Sequence, residues 1–301
     1  MTKNLLKSWF ETTRPKTLPL AAASIVMGSA LAYWAGSFNP AIASLCLLTT
    51  LLLQILSNFA NDYGDYQKGS DTAERIGPLR GIQQGQINAK QLKWSLVLMS
   101  ALSFSCGVWV ICLAYQTPMD LWIFLTMGIL SIVAAITYTV GAKPYGYLGL
   151  GDVSVLLFFG LLGVCGTFYL QTHQLNFMVL LPAFATGFLA TAVLNINNLR
   201  DIYQDEKSGK HTLVVRIGAH KGRVYHCVLI SAAALCYIIF AAMAFHHWVS
   251  FAFLLTYPLL FKHMIFVYSH KQPESLRPML GQMAFLALLV NLLFSFGLIV
   301  G

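Results

Sequence analysis

The sequence predicts an all-α, polytopic membrane protein with nine transmembrane helices, forming a single domain over residues 1–301. Hydrophobic residues make up 57% of the 301 residues and charged residues only 10%, whereas about a quarter of the residues in soluble domains are charged. The mean hydropathy is +0.67. Long apolar windows recur along the chain, and the basic residues separate by side when those windows are treated as spans. The composition therefore excludes a soluble fold.

Nine apolar windows are long enough to cross a bilayer. A helix rises about 1.5 Å per residue, so about 20 residues cross about 30 Å of hydrocarbon. Strands in lipid must close into a barrel, and the alternation that a barrel requires is absent from this sequence. No cleavable signal precedes the first window, so we expect the first helix to be retained. The predicted helices lie near residues 17–36, 41–60, 94–115, 121–140, 150–171, 177–197, 224–245, 249–268 and 279–300.

The basic residues predict the orientation, because Lys and Arg near span ends favour the cytoplasmic side. With the N-terminus inside, all 19 Lys and Arg residues lie in segments on the cytoplasmic side, namely 1–16, 61–93, 141–149, 198–223 and 262–278. The net charge of +8 thus reflects topology. A nucleic-acid partner is excluded because no basic face carries interleaved aromatic residues. We predict a multi-pass protein of the bacterial cell inner membrane, surrounded by membrane lipid, with a cytoplasmic N-terminus.

Two groups of polar and acidic residues follow spans that end on the predicted cytoplasmic side. A spacing of four places side chains in one row along a helix, with neighbouring Cβ atoms about 5–6 Å apart. If the helices continue beyond the membrane, each group forms a row of oxygen atoms. The first acidic row consists of Asn61, Asp62, Asp65 and Asp71, and the second acidic row of Asn197, Asp201 and Asp205.

These rows predict a magnesium site. Carboxylates at this spacing repel one another and need cations, and oxygen ligands without Cys or His favour Mg²⁺ over zinc or copper. Magnesium usually takes one or two carboxylates and completes its shell with water and phosphate oxygens, which suits a diphosphate held between the rows. The six cysteines lie within apolar runs and are expected to be packing residues. Basic residues near the rows complete the anion site, and we predict that Arg75, Arg80, Lys143, Lys210 and Arg216 bind the diphosphate.

The two rows also resemble each other. Asn61, Asp65 and Arg75-Ile-Gly in the segment 61–75 have counterparts in Asn197, Asp201 and Arg216-Ile-Gly in the segment 197–216. This pattern suggests a weak internal duplication of a four-helix unit. Between the two segments, Tyr138 and Asp152 flank the short loop 141–149, where they could be pocket residues or interfacial anchors.

These motifs resemble the two aspartate-rich motifs of the UbiA superfamily of intramembrane prenyltransferases. The likeness rests on NDYGDYQKGSDTAERIGPLR at 61–80 and NNLRDIYQD at 197–205. Four further stretches resemble the branch that prenylates 1,4-dihydroxy-2-naphthoate in menaquinone synthesis: RPKTLP at 14–19, GLGD at 149–152, CGTFY at 165–169 and GKHTLVVR at 209–216. One departure concerns Gly69, which stands where many members carry the third acid of the first motif, so that Asp71 comes two residues later.

The resemblance implies a bundle around a central cavity and a Mg²⁺-dependent enzyme. Its donor would be a polyprenyl diphosphate, its acceptor 1,4-dihydroxy-2-naphthoate, and its products demethylmenaquinol, diphosphate and carbon dioxide. Metal ions and Arg or Lys side chains are the expected stabilisers of charge on a leaving diphosphate. We therefore expect Asp65, Asp201, Asp205 and Arg75 to be catalytic, and Arg14, Tyr138 and Asp152 to bind the aromatic acceptor. Arg14 either faces the carboxylate of the acceptor or is a cytoplasmic anchor of the first span.

Two alternatives remain at this level. Within the enzyme class, the acceptor could be 4-hydroxybenzoate, with heme a more distant candidate. Outside it, polar helix ends around a cavity also describe a secondary transporter, although transporter sites lie near the bilayer midplane and these acids lie at span ends. A CDP-alcohol phosphotransferase would require an Asp-Gly-x-x-Ala-Arg stretch, which the sequence lacks.

Overall fold

The structure, a computed structural model, describes residues 3–69 and 81–301, and this part of the chain is built of helices joined by short connections. The predicted all-α class is confirmed. Eight of the described helices are long and apolar enough to cross a membrane, and the apolar helix Leu18–Trp34 occupies the position of the first predicted span. In chain order, the helices are α1 (Lys3–Thr12), α2 (Leu18–Trp34), α3 (Pro40–Gln67), α4 (Ala89–Ala114), α5 (Pro118–Thr137), α6 (Gly151–Thr172), α7 (Phe177–Arg200), α8 (Ile202–Lys207), α9 (Leu213–Ala244), α10 (Trp248–Ser269) and α11 (Pro273–Val300).

Helix α2 lies inside the bundle and packs against α3, α6, α7 and α11. On one side, α4 and α5 pack against α3; on the other, α9 packs against α7. A buried polar contact joins three of these helices: Thr186 Oγ1 donates to Asn291 Oδ1 at 2.7 Å, and the Tyr237 hydroxyl donates to the same oxygen at 3.0 Å. Hydrogen bonds of this kind between side chains hold helices together where lipid provides no competing donor.

Helix α3 carries the first acidic row beyond the predicted span. Its N-terminus is capped by Asn39, whose side chain accepts hydrogen bonds from two backbone N–H groups, and the helix continues seven residues past the predicted end at residue 60. The expected continuation is therefore confirmed for this row. Gly69 follows the helix with φ of +64°, a left-handed conformation that ends helices and favours glycine. Asp71, the last predicted member of the row, lies outside the described residues.

The second acidic row does not lie on one unbroken helix, and that part of our expectation is wrong. Helix α7 ends at Arg200, and Asp201 (φ −98°, ψ 9°) separates it from the short helix α8. The spacing of four nevertheless persists. The Asp201 N–H donates to the Asn197 carbonyl at 3.0 Å, and the Asp205 N–H donates to the Asp201 carbonyl at 2.8 Å.

A cavity of about 1280 Å³ runs through the bundle. At one end it is lined by polar residues of α3 and α7, including Asn61, Asp62 and Asn197; we call this the acidic end. Further in, its walls are mostly apolar and include Ile25 and Phe124. Because Cys46 and Asp62 of α3 both line it, the cavity extends about 24 Å along that helix at about 1.5 Å per residue.

Candidate active site at the acidic end of the bundle

The first acidic row is held by the turn between α1 and α2. Arg14 Nη2 lies 2.5 Å from Asp62 Oδ1, and the Asp62 side chain is only 3% exposed. Asn58 Nδ2 donates to the Thr13 carbonyl at 2.8 Å and so ties the same turn to α3. Arg14 itself has φ of +52°, a conformation that non-glycine residues seldom adopt and that occurs often at functional sites.

Asp65 lies one turn beyond Asn61 and Asp62 on α3 and is also buried. The Tyr147 hydroxyl donates to Asp65 Oδ1 at 2.9 Å. Tyr147 belongs to the connection between α5 and α6, where a short helical turn spans Tyr145–Leu148. The first acidic row therefore receives a hydroxyl donor from a segment 82 positions away in sequence.

In the second acidic row, Asp201 is paired with its neighbour Arg200. Arg200 Nε donates to Asp201 Oδ1 at 2.7 Å and Arg200 Nη2 lies 2.5 Å from Asp201 Oδ2. The same Nη2 donates to Asn197 Oδ1 at 2.9 Å. This is a two-pronged guanidinium–carboxylate pair, which fixes direction as well as charge. Both side chains are buried, and Arg200 and Asn197 line the cavity.

Asp205 links the two rows electrostatically. Burial raises the pKa of Asp205 to about 6; the Asp201 and Asp65 carboxylates add to this shift, and the Lys210 ammonium, 3.6 Å from Asp205 Oδ1, opposes it. Carboxylates influence one another in this way only when they are close. Asn61 and Asp62 of the first row and Asn197 of the second also line the same cavity, so the structure places both rows at its acidic end.

The donor set fits a hard divalent cation such as Mg²⁺. Asp205 Oδ2 is buried without a hydrogen-bond partner among the described residues, and a buried anionic oxygen in that condition favours a cation. Within residues 3–69 and 81–301, no three His, Cys, Asp or Glu side chains meet in a ready-made metal centre. The carboxylate and amide oxygens of the two rows are ligands that Mg²⁺ accepts, and Mg²⁺ completes its shell with water and phosphate oxygens.

The basic residues predicted to bind diphosphate differ in whether they line the cavity. Lys210 lines the cavity. Lys143 is exposed and does not line it. Arg216 also lies away from the cavity, because its guanidinium donates to the backbone carbonyls of Leu148 and His211 at 3.1 Å each. For Lys143 and Arg216 the structure therefore does not support contact with a ligand in the cavity. Arg75 and Arg80 lie outside the described residues.

Tyr138 and Asp152, predicted to contact the acceptor, are close to each other, but only Tyr138 lines the cavity. Burial raises the pKa of Tyr138, and the charge of Asp152 raises it further. The Tyr138 hydroxyl therefore keeps its proton and can donate a hydrogen bond. Asp152 is buried beside the Tyr225 hydroxyl. The structure places Asp152 behind Tyr138, where it can influence the cavity only through its neighbours.

Two residues of this site, Arg200 and Tyr147, were not predicted from the sequence. Arg200 lies inside the motif 197–205, and its adjacency to Asp201 was a usable signal. Tyr147 gave no such signal, because its contact with Asp65 depends on the path of the connection between α5 and α6. Arg216 is the counterpart of Arg75 in the suggested duplication. It binds the connection between α5 and α6 through the Leu148 carbonyl and does not line the cavity.

A helical membrane bundle with two facing acidic rows at the mouth of a deep apolar cavity defines a lipid-processing membrane protein that handles an anionic group. The chain belongs to the UbiA prenyltransferase family, whose sequence profile matches residues 21–289. It is 63% identical to the 1,4-dihydroxy-2-naphthoate octaprenyltransferase of Haemophilus influenzae, over 100% of this chain and 98% of the relative. It is 51% identical to the protein of the same description from Escherichia coli, over 97% of this chain and 95% of the relative.

Solved structures agree on the fold. A UbiA homolog from Aeropyrum pernix K1 superposes with a TM-score of 0.70 at 15% identity, over 94% of this chain and 97% of the homolog. A UbiA homolog from Archaeoglobus fulgidus bound to GPP and Mg²⁺ superposes with a TM-score of 0.63 at 14% identity, over 96% and 100% of the two chains. The sequence profile and the close relatives confirm the family predicted from the two motifs, and the solved structures confirm its fold.

Proposed function

We propose that this protein transfers a polyprenyl group from polyprenyl diphosphate to 1,4-dihydroxy-2-naphthoate, releasing diphosphate and carbon dioxide and giving demethylmenaquinol. The observation that carries the proposal is the 63% identity over the full chain to a protein described as an octaprenyltransferase for that acceptor. The acidic end and the apolar cavity support it, because the donor has an anionic head and an apolar tail. Membership of a prenyltransferase family argues against the transporter alternative.

The acidic rows are the proposed binding site for the head of the donor. Mg²⁺, held by Asn61, Asp62, Asp65, Asn197, Asp201 and Asp205, would supply positive charge that stabilises the leaving diphosphate. Asp71 belongs to the same proposal on the sequence alone. Lys210, which lines the cavity beside Asp205, adds a fixed positive charge at the same place.

The cavity walls orient the two substrates and exclude water. When the allylic C–O bond breaks, its electron pair leaves with the diphosphate, and the ring carbon that bears the carboxylate forms the new C–C bond. The carboxylate then departs as carbon dioxide and its bonding pair restores the aromatic ring, so no protein nucleophile is required. Apolar residues such as Phe124 and Leu162 keep water away from a reactive carbocation.

Product analysis tests the acceptor. The purified protein in detergent is incubated with octaprenyl diphosphate, Mg²⁺ and either 1,4-dihydroxy-2-naphthoate or 4-hydroxybenzoate, and the products are identified by mass spectrometry. We expect a prenylated, decarboxylated product from the naphthoate, and none after chelation of Mg²⁺. Preferential prenylation of 4-hydroxybenzoate would overturn the acceptor assignment while leaving the reaction class intact.

The acidic end is proposed to face the cytoplasm, in a bacterial inner membrane, because the connections on that side carry the Lys and Arg residues. A cysteine introduced at Ser208, in a protein without its native cysteines, should resist an impermeant thiol reagent added to intact cells. It should react after the cells are opened. Labelling in intact cells would reverse the proposed orientation.

Arg14 is the proposed partner of the acceptor carboxylate. Arg14→Lys keeps the charge but loses the planar fork that suits a carboxylate. We expect the KM for the naphthoate to rise about tenfold, the equivalent of one charged hydrogen bond, with the KM for the donor nearly unchanged. Steady-state kinetics measure both values. Because Arg14 also contacts Asp62, a higher Mg²⁺ requirement with an unchanged acceptor KM would mean that Arg14 acts through the first acidic row instead.

A further inference from the structure

The connection between α5 and α6, residues 138–150, contacts the first acidic row on one side and the segment that follows the second acidic row on the other. We call it the bridging loop. A segment that is hydrogen-bonded on both sides can set the distance between the rows.

On one side, the bridging loop is fastened to α3. Thr139 Oγ1 donates to the Ala60 carbonyl at 2.9 Å. A Cβ atom placed on Gly64 would lie 2.5 Å from the Thr139 carbonyl oxygen, so only glycine allows this approach. The Tyr147 hydroxyl then reaches Asp65 on the same helix. These contacts surround the end of the first acidic row.

On the other side, the loop is fastened to the segment that follows the second acidic row. The His211 N–H donates to the Tyr147 carbonyl at 3.0 Å, and Arg216 Nη2 donates to the Leu148 carbonyl at 3.1 Å. Tyr147 is thus bound by its side chain to one row and by its backbone to the segment beside the other. It is 7% exposed, so both contacts are shielded from water.

The Tyr147 ring also lies next to two ammonium groups from opposite halves of the site. Lys68 Nζ, just past the first row, is 5.4 Å from the ring centroid, and Lys210 Nζ, just past the second, is 5.7 Å from it. Both distances fall within the range of cation–π attraction. One side chain therefore orients a carboxylate through its hydroxyl and two cations through its ring.

We propose that Tyr147 is a positioning residue that holds Asp65 and the two lysines in register for the metal and the diphosphate. It acts like the hydrogen-bond donors behind metal ligands elsewhere, whose loss typically costs 10–100-fold in metal affinity or activity. The effect of Tyr147 on catalysis rests on the proposed function. The effect of Tyr147 on binding does not, because binding of Mg²⁺ and diphosphate can be measured without turnover.

Two substitutions separate the roles of the hydroxyl and the ring. Tyr147→Phe removes only the hydroxyl, and we expect it to raise the Mg²⁺ concentration for half-maximal activity about tenfold, with the acceptor KM unchanged. Tyr147→Leu also removes the ring, and should in addition raise the KM for the polyprenyl diphosphate. The matched control is Tyr257→Phe, which removes a hydroxyl bonded to the Ala234 carbonyl far from the acidic end and should leave the Mg²⁺ requirement as in the unmodified protein.

The turnover-independent measurement is the rise in Tm of the purified protein on adding Mg²⁺ with inorganic diphosphate. We expect a clear rise for the unmodified protein and for Tyr257→Phe, and a rise only at higher Mg²⁺ for Tyr147→Phe. In an Asp65→Asn background, Tyr147→Phe should have little further effect. A Tyr147→Phe protein with unaltered Mg²⁺ dependence in this assay overturns the inference. Failure of the unmodified protein to prenylate the naphthoate would instead count against the proposed function alone.

Discussion

Asp65→Asn and Asp201→Asn are each expected to lower kcat/KM for prenyl transfer at least about 100-fold at ordinary Mg²⁺ concentrations, the scale found when one preorganised electrostatic stabiliser is removed. Each substitution removes a negative charge from a different acidic row while keeping the size of the side chain. Part of the lost activity should return at higher Mg²⁺, because a weakened metal site can still be filled. Initial rates over a Mg²⁺ titration measure both effects.

Asp120→Asn is the matched control for these variants. Asp120 is also buried, but it lies at the other end of α5, where its carboxylate accepts hydrogen bonds from Tyr169 and from backbone N–H groups. Its substitution weakens the capping box of α5, so we expect a small fall in Tm and an unchanged Mg²⁺ dependence. Full activity of either Asp65→Asn or Asp201→Asn at ordinary Mg²⁺ would refute the two-row site.

Arg200→Ala, which removes the partner of Asp201, is expected to damage the second acidic row strongly. It leaves Asp201 buried without its guanidinium partner, and breaking a buried ion pair in this way costs about 3–5 kcal/mol in the free energy of unfolding. We expect a clear fall in Tm together with loss of prenyl transfer. Thermal unfolding of the purified protein in detergent, run beside the activity assay, measures the two consequences.

A double substitution distinguishes a stability effect from a loss of the site. Arg200→Ala combined with Asp201→Asn removes both charges, so most of the lost Tm should return while activity stays absent. Arg200→Lys keeps the charge without the fork and should lie between Arg200→Ala and the unmodified protein. If Arg200→Ala retains both its Tm and its activity, the ion pair between Arg200 and Asp201 contributes neither to stability nor to prenyl transfer.

The sequence predicts the fold well because a bilayer imposes simple demands. A span must be apolar and about 20 residues long, so the nine windows identify the helices directly. Where the chain leaves the lipid, that constraint ends. For this reason the structure was needed to locate the end of α3 at Gln67 and the break at Asp201. Only the end of α3 has a local sequence signal, which is Gly69.

The site was predictable where its chemistry is local and obscure where it depends on tertiary contacts. Residues spaced four apart on one helix, such as Asn61 and Asp65, lie on the same face, so their proximity can be predicted from the sequence. Lys143 and Tyr147 lie four positions apart in one loop, and the charged residue was the natural candidate. In the structure Lys143 is exposed and Tyr147 is buried, because the turn at Tyr145–Leu148 directs the tyrosine inward. The direction of a side chain in such a turn cannot be predicted from the spacing of residues in the sequence.

The length of the cavity has a consequence for the energetics of substrate exchange. An apolar chain moved into water loses about 0.8 kcal/mol for each buried methylene-sized group, so a long isoprenoid tail would face a barrier of tens of kcal/mol if it had to leave apolar surroundings. Here the cavity follows α3 from Asp62 to Cys46, through most of the depth of a bilayer. The tail of donor or product can therefore remain solvated by hydrocarbon-like surfaces throughout, and only the polar head has to be exchanged at the acidic end.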